Sequence, residues 1–257
     1  MSARSSEVHR VGFITLGCPK NEADTARMRT LLHGSNFVVV DEVELADIAI
    51  INTCGFITSA TEESLECIFD TVRDWLPARR GRHIVVVGCL ASRYGTELSD
   101  ELSEVSLCLG VNDERDIVAH LERLVAGQDG RDETPEVVGD TGPHDERTKS
   151  SLSVENRRKA RGPSEYVMIA DGCDRACSYC TIPSIRGPYA SRPISAIVEE
   201  VESLIASGAR EIVLVAQDTT QYGKDLAEDA SLVKLIDTLC ALPDPFWLRV
   251  MYMQPEG

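Results

Sequence analysis

The sequence predicts an α/β protein in two parts, in each of which buried strands alternate with amphipathic helices. Near-continuous apolar runs recur along the chain, and they are typical of strands buried on both faces of a parallel sheet. Stretches with helical periodicity separate these runs. A stretch rich in charge, Gly, Pro and Ser, 128–165, interrupts the alternation and is predicted to be a polar linker. The two parts are therefore 1–127 and 166–257.

The N-terminal part contains three strong strand signals, each ending at or beside a cysteine. They are "RVGFITLGC" (10–18), "ADIAIINTC" (46–54) and "HIVVVGCL" (83–90). Helical patterns lie between and after them, as in "NDERDIVAHLERLV" (112–125). Helical connections between parallel strands make right-handed crossovers and cover both faces of a sheet. This part is therefore predicted to be a doubly wound, mostly parallel sheet.

The C-terminal part repeats the alternation. Its strand signals are "YVMIADGC", "EIVLVAQD" and "FWLRVMYM", and its helix signals are "SAIVEEVESLIASG" and "SLVKLIDTLCAL". No helix signal follows the last strand, although parallel strands are normally covered on both faces. We therefore expect the chain to be part of a larger protein.

Composition narrows the classes of partner and compartment. The chain has 26 basic and 42 acidic residues, a net charge of −16, which disfavours nucleic acid as a partner and favours a basic protein surface. The alternative is that the acidic charge serves only to keep the protein soluble. The sequence predicts neither a transmembrane helix nor a signal peptide. Nine cysteines, an odd number, then indicate reduced thiols or metal ligands in the cytoplasm.

Three cysteines crowd the segment "DGCDRACSYC" at the end of a predicted strand: Cys173, Cys177 and Cys180. Thiolates this close on one loop can converge on a soft metal centre, and three thiolates on a four-iron cluster leave one iron open. The alternatives are a zinc knuckle and a chance group of core cysteines. No neighbouring His supplies a fourth zinc ligand, so the spacing favours the iron–sulfur cluster.

A second trio, Cys18, Cys54 and Cys89, is scattered in sequence, but each member terminates an apolar strand. The carboxyl ends of parallel strands meet at one edge of the sheet, so these thiols are predicted to form a second metal site. The remaining cysteines lack this pattern and are interpreted as small buried hydrophobic residues. They are Cys67, Cys108 and Cys240.

The motif Cys-x3-Cys-x2-Cys, with Tyr179 before its last cysteine, resembles the signature of radical S-adenosylmethionine enzymes. A preceding α/β domain with three strand-end cysteines narrows the resemblance to the methylthiotransferases. Within these, "LGCPKN" (16–21) and "AQDTTQYG" (216–223) are similar to the RimO-type branch, which modifies an aspartate of ribosomal protein twelve of the small subunit. The alternative is the MiaB-type branch, which modifies a tRNA adenosine.

The resemblance implies a radical enzyme with two [4Fe-4S] clusters, one on each cysteine trio, and with S-adenosylmethionine as cofactor. It implies a partial (βα) barrel for 166–257, since full-length members add further strands and a TRAM domain. The substrate would be the ribosomal protein, an electron donor would be needed, and tRNA would bind only under the MiaB-type alternative. Tyr179 is expected to contact the adenine, and Gln217 and Asp218 the methionine end. An electron carrier and a zinc-binding interaction protein are the competing classes.

Overall fold

The computed structural model describes residues 8–127, 136–138, 158–226 and 230–255. The chain divides into two compact units, Met1–Thr141 and Gly142–Gly257. None of the helices in the described ranges is long and apolar enough to cross a membrane.

The first unit is built on a six-stranded sheet in which all paired strands run parallel, in the order β2-β1-β3-β4-β5-β6. The strands are β1 (His9–Thr15), β2 (Phe37–Val40), β3 (Ile48–Thr53), β4 (His83–Gly88), β5 (Val105–Leu109) and β6 (Glu136–Val138). The helices are α1 (Pro19–Leu32), α2 (Thr58–Asp70), α3 (Cys89–Glu101) and α4 (Ile117–Ala126). The doubly wound fold class and the three predicted strands are confirmed.

The helices cover both faces of this sheet. Met28 of α1 and Leu121 of α4 belong to one buried cluster together with Val85. Ile68 of α2 and Leu98 of α3 belong to a separate cluster on the opposite face. Every residue of β3 is buried, which explains why the strand begins with an unbroken apolar run, 48–51.

The second unit contains a three-stranded parallel sheet in the order β11-β10-β7. Its strands are β7 (Ser164–Met168), β10 (Glu211–Val215) and β11 (Trp247–Val250), and β8 (Ala170–Asp171) and β9 (Ala190–Ser191) form a short antiparallel pair. Its helices are α5 (Ile182–Arg186), α6 (Ile194–Ala206) and α7 (Leu232–Cys240). Ile197, Val201, Leu204 and Ile205 of α6 lie in its core, as the periodicity predicts.

The predicted linker, 128–165, differs from the structure at three places. Glu136–Val138 pairs with β5 as the last strand of the first sheet. Arg158 is buried and pairs with Glu165 and Glu200 at 2.8 and 2.9 Å. β7 begins at Ser164, so the last two residues of the predicted stretch belong to a strand. Residues 128–135 and 139–157 lie outside the described residues, and the role of the stretch as a linker stays a prediction.

Candidate functional site

The first trio of cysteines follows three adjacent strands of the first sheet. Thr15 of β1 pairs with Asn52 of β3, and Thr53 of β3 pairs with Gly88 of β4. Cys54 and Cys89 come one residue after the second of these pairs, and Cys18 caps the start of α1. The parallel register therefore brings all three cysteine-bearing loops to one edge of the sheet.

Glycines let these loops approach one another closely. A Cβ atom on Gly17, whose φ is +95°, would lie 2.7 Å from Cβ of Cys54. A Cβ atom on Gly55 would lie 2.8 Å from Cα of Leu90 and 3.3 Å from the carbonyl carbon of Cys89. Real Cβ atoms do not approach other atoms so closely, so the Cys18 loop packs on the Cys54 loop, and the Cys54 loop packs on Cys89.

Two fully buried asparagines join the first of these loops to β3. The Asn21 amide nitrogen donates to Oδ1 of Asn52 and to the carbonyl of Thr53, both at 3.0 Å. The Asn52 amide nitrogen donates to the carbonyl of Asn21 at 2.9 Å and to Oγ1 of Thr25 at 3.0 Å. The Cys18 thiol donates to Oδ1 of Asn21 at 3.3 Å. We call Asn21 and Asn52 the asparagine latch.

The backbone on either side of Cys54 is held as well. Ser64 Oγ accepts from the Cys54 N–H and donates to the Cys54 carbonyl, both at 3.1 Å. Arg93 donates to the carbonyl of Gly55 at 2.9 Å. Thr53 Oγ1 donates to the carbonyl of Val87, which ties β3 to β4 just before their cysteines. These contacts tie the Cys54 loop to α2, α3 and β4.

The second trio lies in the loop between β8 and α5, and each of its cysteines is partly exposed. The Cys173 N–H donates to the carbonyl of Gly187 at 3.1 Å, and the Cys180 N–H donates to the carbonyl of Cys177 at 3.0 Å. Tyr179, within this loop, is 85% exposed, so its ring is open to a ligand.

The end of β10 reaches the same loop. Arg175, between the first two cysteines of the trio, donates through Nε to Oδ2 of Asp218 at 2.6 Å. Burial alone would raise the pKa of Asp218, but the hydrogen bonds from Thr220 and Arg175 and the charge of Arg175 outweigh it and lower the pKa. The adjacent Gln217 has a buried amide nitrogen with no hydrogen-bond partner among the described residues. Gln217 and Asp218 thus follow β10, and Asp218 contacts the cysteine loop, while their binding of the methionine end stays a prediction.

Comparison with known proteins assigns a family to each unit. Residues 10–110 match the uncharacterized protein family UPF0004, and residues 167–252 match the radical SAM superfamily. The chain is 41% identical over 254 residues to ribosomal protein uS12 methylthiotransferase RimO of Syntrophus aciditrophicus, with 99% of this chain and 54% of that protein covered. For the RimO of Thermotoga maritima the identity is 41% over 247 residues, covering 96% and 54%.

The chain belongs to the RimO-type family of radical S-adenosylmethionine methylthiotransferases. The resemblance found in the sequence is thereby confirmed. The chain spans about half the length of the RimO proteins that it matches.

Two solved structures share the RimO-type fold of this chain at low identity. The cobalamin-dependent S-adenosylmethionine radical enzyme OxsB superposes with a TM-score of 0.55 at 12% identity, covering 95% of this chain and 38% of OxsB. The radical S-adenosylmethionine methyltransferase TsrM from Kitasatospora setae superposes with a TM-score of 0.54 at 16% identity, covering 84% and 48%. Both support the fold, an α/β domain followed by a partial radical SAM barrel.

The donor sets of this RimO-type chain suit an iron–sulfur cluster better than a single ion. None of the nine cysteines is in a disulfide. Among the described residues, no three His, Cys, Asp or Glu side chains converge on a point where one metal ion could bind. A cubane cluster does not require such a point, because each thiolate binds a different iron. Two sets of three thiols, each on preformed loops, fit that chemistry.

The other three cysteines of the RimO-type chain differ from one another. Cys108 is buried in β5, and burial raises the pKa of its thiol to about 11. Cys67 is half-buried, packs against the core under α2, and has a thiol pKa raised mainly by burial. Cys240 is exposed, so the prediction that it is buried is wrong. It is the last residue of α7, and the helical periodicity did not reveal that its side chain faces solvent.

Proposed function

We propose that this chain is the catalytic part of an enzyme that transfers a methylthio group to the β-carbon of an aspartate in ribosomal protein uS12. The observation that carries the proposal is the first cysteine trio at the ends of three adjacent parallel strands. A radical SAM unit alone has only the second trio, whereas sulfur insertion calls for a further site. The relatives' printed name supplies the substrate. A ribosomal substrate implies action in the cytoplasm.

We assign one [4Fe-4S] cluster to each trio. Cys173, Cys177 and Cys180 would hold the cluster whose open iron binds S-adenosylmethionine, and Cys18, Cys54 and Cys89 would hold the second. When bound and reduced by an electron donor, the first cluster and S-adenosylmethionine supply a 5′-deoxyadenosyl radical, the reagent needed to break an unactivated C–H bond.

The chain's own residues bind and orient these groups. The exposed ring of Tyr179 offers a surface on which adenine can stack. The amide nitrogen of Gln217 has no hydrogen-bond partner among the described residues, and it is a donor suited to the carboxylate of the methionine end. The asparagine latch holds the Cys18 loop against β3, so that the first trio keeps one geometry.

The charge of the chain favours the ribosomal protein over tRNA. A net charge of −16 repels a polyanion and attracts a basic protein. The relatives also carry the ribosomal-protein name and not that of the tRNA branch. A mass increase in purified uS12 by one methylthio group less one hydrogen, after incubation with reduced enzyme and S-adenosylmethionine, tests the substrate. The same modification found on tRNA and not on uS12 would reverse the choice.

Metal content tests the cofactors. Anaerobic reconstitution should give about eight irons per chain, as expected for two cubanes. Cys177→Ala should halve the iron and abolish 5′-deoxyadenosine formation. Cys54→Ala should also halve the iron but leave 5′-deoxyadenosine formation largely intact, while Cys240→Ala, the matched control, should change neither. Zinc in place of iron would support the zinc-binding class. Iron without cleavage of S-adenosylmethionine would support the electron carrier.

A further inference from the structure

Arg175 links the second cysteine trio to a different element of the sheet. It lies in the loop between Cys173 and Cys177, and its guanidinium contacts the Asp218 carboxylate at 2.6 Å through both Nε and Nη2. Asp218 follows β10, 43 residues further along the chain. The remaining contacts of Arg175 include its own N–H, which lies 3.5 Å from Sγ of Cys173.

Both carboxylate oxygens of Asp218 already accept hydrogen bonds within the protein. The residue is also buried, with 1% of its surface exposed. Its Oδ2 atom accepts from Arg175, and its Oδ1 atom accepts from the N–H and the hydroxyl of Thr220. Its backbone carbonyl accepts from the Tyr189 hydroxyl at 2.9 Å. A carboxylate with both oxygens engaged in this way has little capacity left for a cofactor.

We infer that Arg175 and Asp218 form a tether that positions the cysteine loop for its cluster, and that Asp218 does not bind S-adenosylmethionine. Asp218 is therefore a positioning residue, in contrast to the role at the methionine end that the sequence suggested for it. Gln217, whose amide nitrogen has no partner in the described part of the chain, keeps that role. The inference rests on the proposed radical SAM function.

The tether should matter because it joins the segment between Cys173 and Cys177, whose cysteines are partly exposed, to the end of β10. A charge-assisted hydrogen bond from Nε of Arg175 to a buried carboxylate, with Nη2 in ionic contact with the same oxygen, is among the stronger polar contacts of a protein. Removing only Arg175 leaves the carboxylate buried beside Thr220 without its cation, which costs more than removing both charges. The effects of replacing Arg175 and of replacing Asp218 should therefore not be additive.

A double-mutant cycle on the reconstituted protein tests this. Arg175→Gln should slow cleavage of S-adenosylmethionine by roughly tenfold, the size of one lost charge-assisted contact, and broaden the electron paramagnetic resonance signal of the second cluster. Asp218→Asn should do less, and the double variant Arg175→Gln/Asp218→Asn should recover part of the loss caused by Arg175→Gln. The Kd for S-adenosylmethionine, measured on protein with full iron content, should stay within about twofold in Asp218→Asn.

Two controls keep the test specific. Arg249 and Glu211 form an exposed ion pair at the amino end of the same strand, and Arg249→Gln should leave the signal and the cleavage rate unchanged. The urea-unfolding midpoint of each variant, compared with that of the wild type, reports whether the second unit still folds. If Asp218→Asn weakens S-adenosylmethionine binding tenfold while the cluster signal is unaltered, Asp218 is a ligand and the tether is wrong. If the rate loss in the double variant equals the product of the two single losses, the tether is also wrong. Failure of the wild-type protein to bind iron would instead overturn the proposed function.

Discussion

The site of the first cysteine trio depends on cysteines and on two asparagines, and only the cysteines can be recognised from the sequence. The cysteines are recognisable because each ends an apolar run. Asn21 and Asn52 stand in the same motifs, "LGCPKN" and "IINTC", yet nothing in their spacing shows that they bond to each other. Their pairing depends on the register of β1 and β3, which is a tertiary property. Two buried amides beside two metal-ligand candidates are the signal that could have suggested it.

Replacing Asn21 by Asp should damage the first site. The change keeps the shape but removes the two donors to Asn52 and Thr53, and it places a carboxylate against their oxygens in a fully buried position. We expect a loss of roughly 3 kcal/mol in the free energy of unfolding of the first unit. Urea unfolding measures that loss, and iron content should fall toward about four per chain, the value for one cubane. The same change at exposed Asn36 should have no effect, and an unaltered iron content in Asn21→Asp would contradict the role of the latch.

The cysteines outside the two trios should differ in reactivity. Burial raises the pKa of Cys108 to about 11, so its thiol stays protonated and shielded at neutral pH. Cys240 is exposed. Alkylation of the reconstituted protein at neutral pH, followed by peptide mass spectrometry, should label Cys240 and spare Cys108 until the protein is unfolded. Early labelling of Cys108 would show that β5 opens locally.

At the scale of elements, long buried strands were predictable and short edge strands were not. The patterns of β1, β3 and β4 are strong because these strands have six or seven residues each, and β3 and β4 are almost entirely buried. β2 has four residues at the edge of the sheet, and β6 has three within a polar stretch. Such short strands form because an adjacent strand offers backbone N–H and C=O groups for pairing. That adjacent strand is distant in sequence, so local sequence patterns do not reveal the pairing. In the second unit β10 follows the same rule, with four of its five residues buried. β11, in contrast, was predictable from its apolar sequence although it is an edge strand of four residues, none of them buried.

The loop between β1 and α1 gives a test at this scale. Gly17→Ala adds a methyl group 2.7 Å from Cβ of Cys54 in a backbone conformation with φ of +95°. Gly34 has a similar φ of +86° but nothing within 4 Å, so Gly34→Ala carries the conformational strain without the clash. We expect Gly34→Ala to cost about 1 kcal/mol and to retain iron. Gly17→Ala should cost more and should lower iron binding by the first trio. Equal iron contents in the two variants would show that the Cys18 loop does not need its close approach to Cys54.

At the scale of the whole molecule, the two compact units each have their own sheet and core. The first unit should therefore fold when produced alone. The position at which it is cut matters, because β6 pairs with β5.

A piece comprising 1–141 should be more stable than one comprising 1–127. The shorter piece loses the β5–β6 hydrogen bonds and exposes the edge of β5, so we expect its free energy of unfolding to fall by about 1 to 2 kcal/mol. Urea unfolding followed by far-ultraviolet circular dichroism compares them. Identical midpoints would show that the β5–β6 pairing contributes nothing to the stability of the unit.

The sequence separation of the cysteines determines how early in folding each trio can bind iron. Cys173, Cys177 and Cys180 lie within eight residues, so they can meet on a chain that has not yet folded, because closing so short a loop costs little entropy. Cys18, Cys54 and Cys89 are at least 35 residues apart and meet only where β1, β3 and β4 are already paired. Iron supplied during refolding should thus reach the second trio early and the first trio late. Iron bound by the first trio therefore shows that β1, β3 and β4 have paired. A chain in which these strands fail to pair should lack that iron.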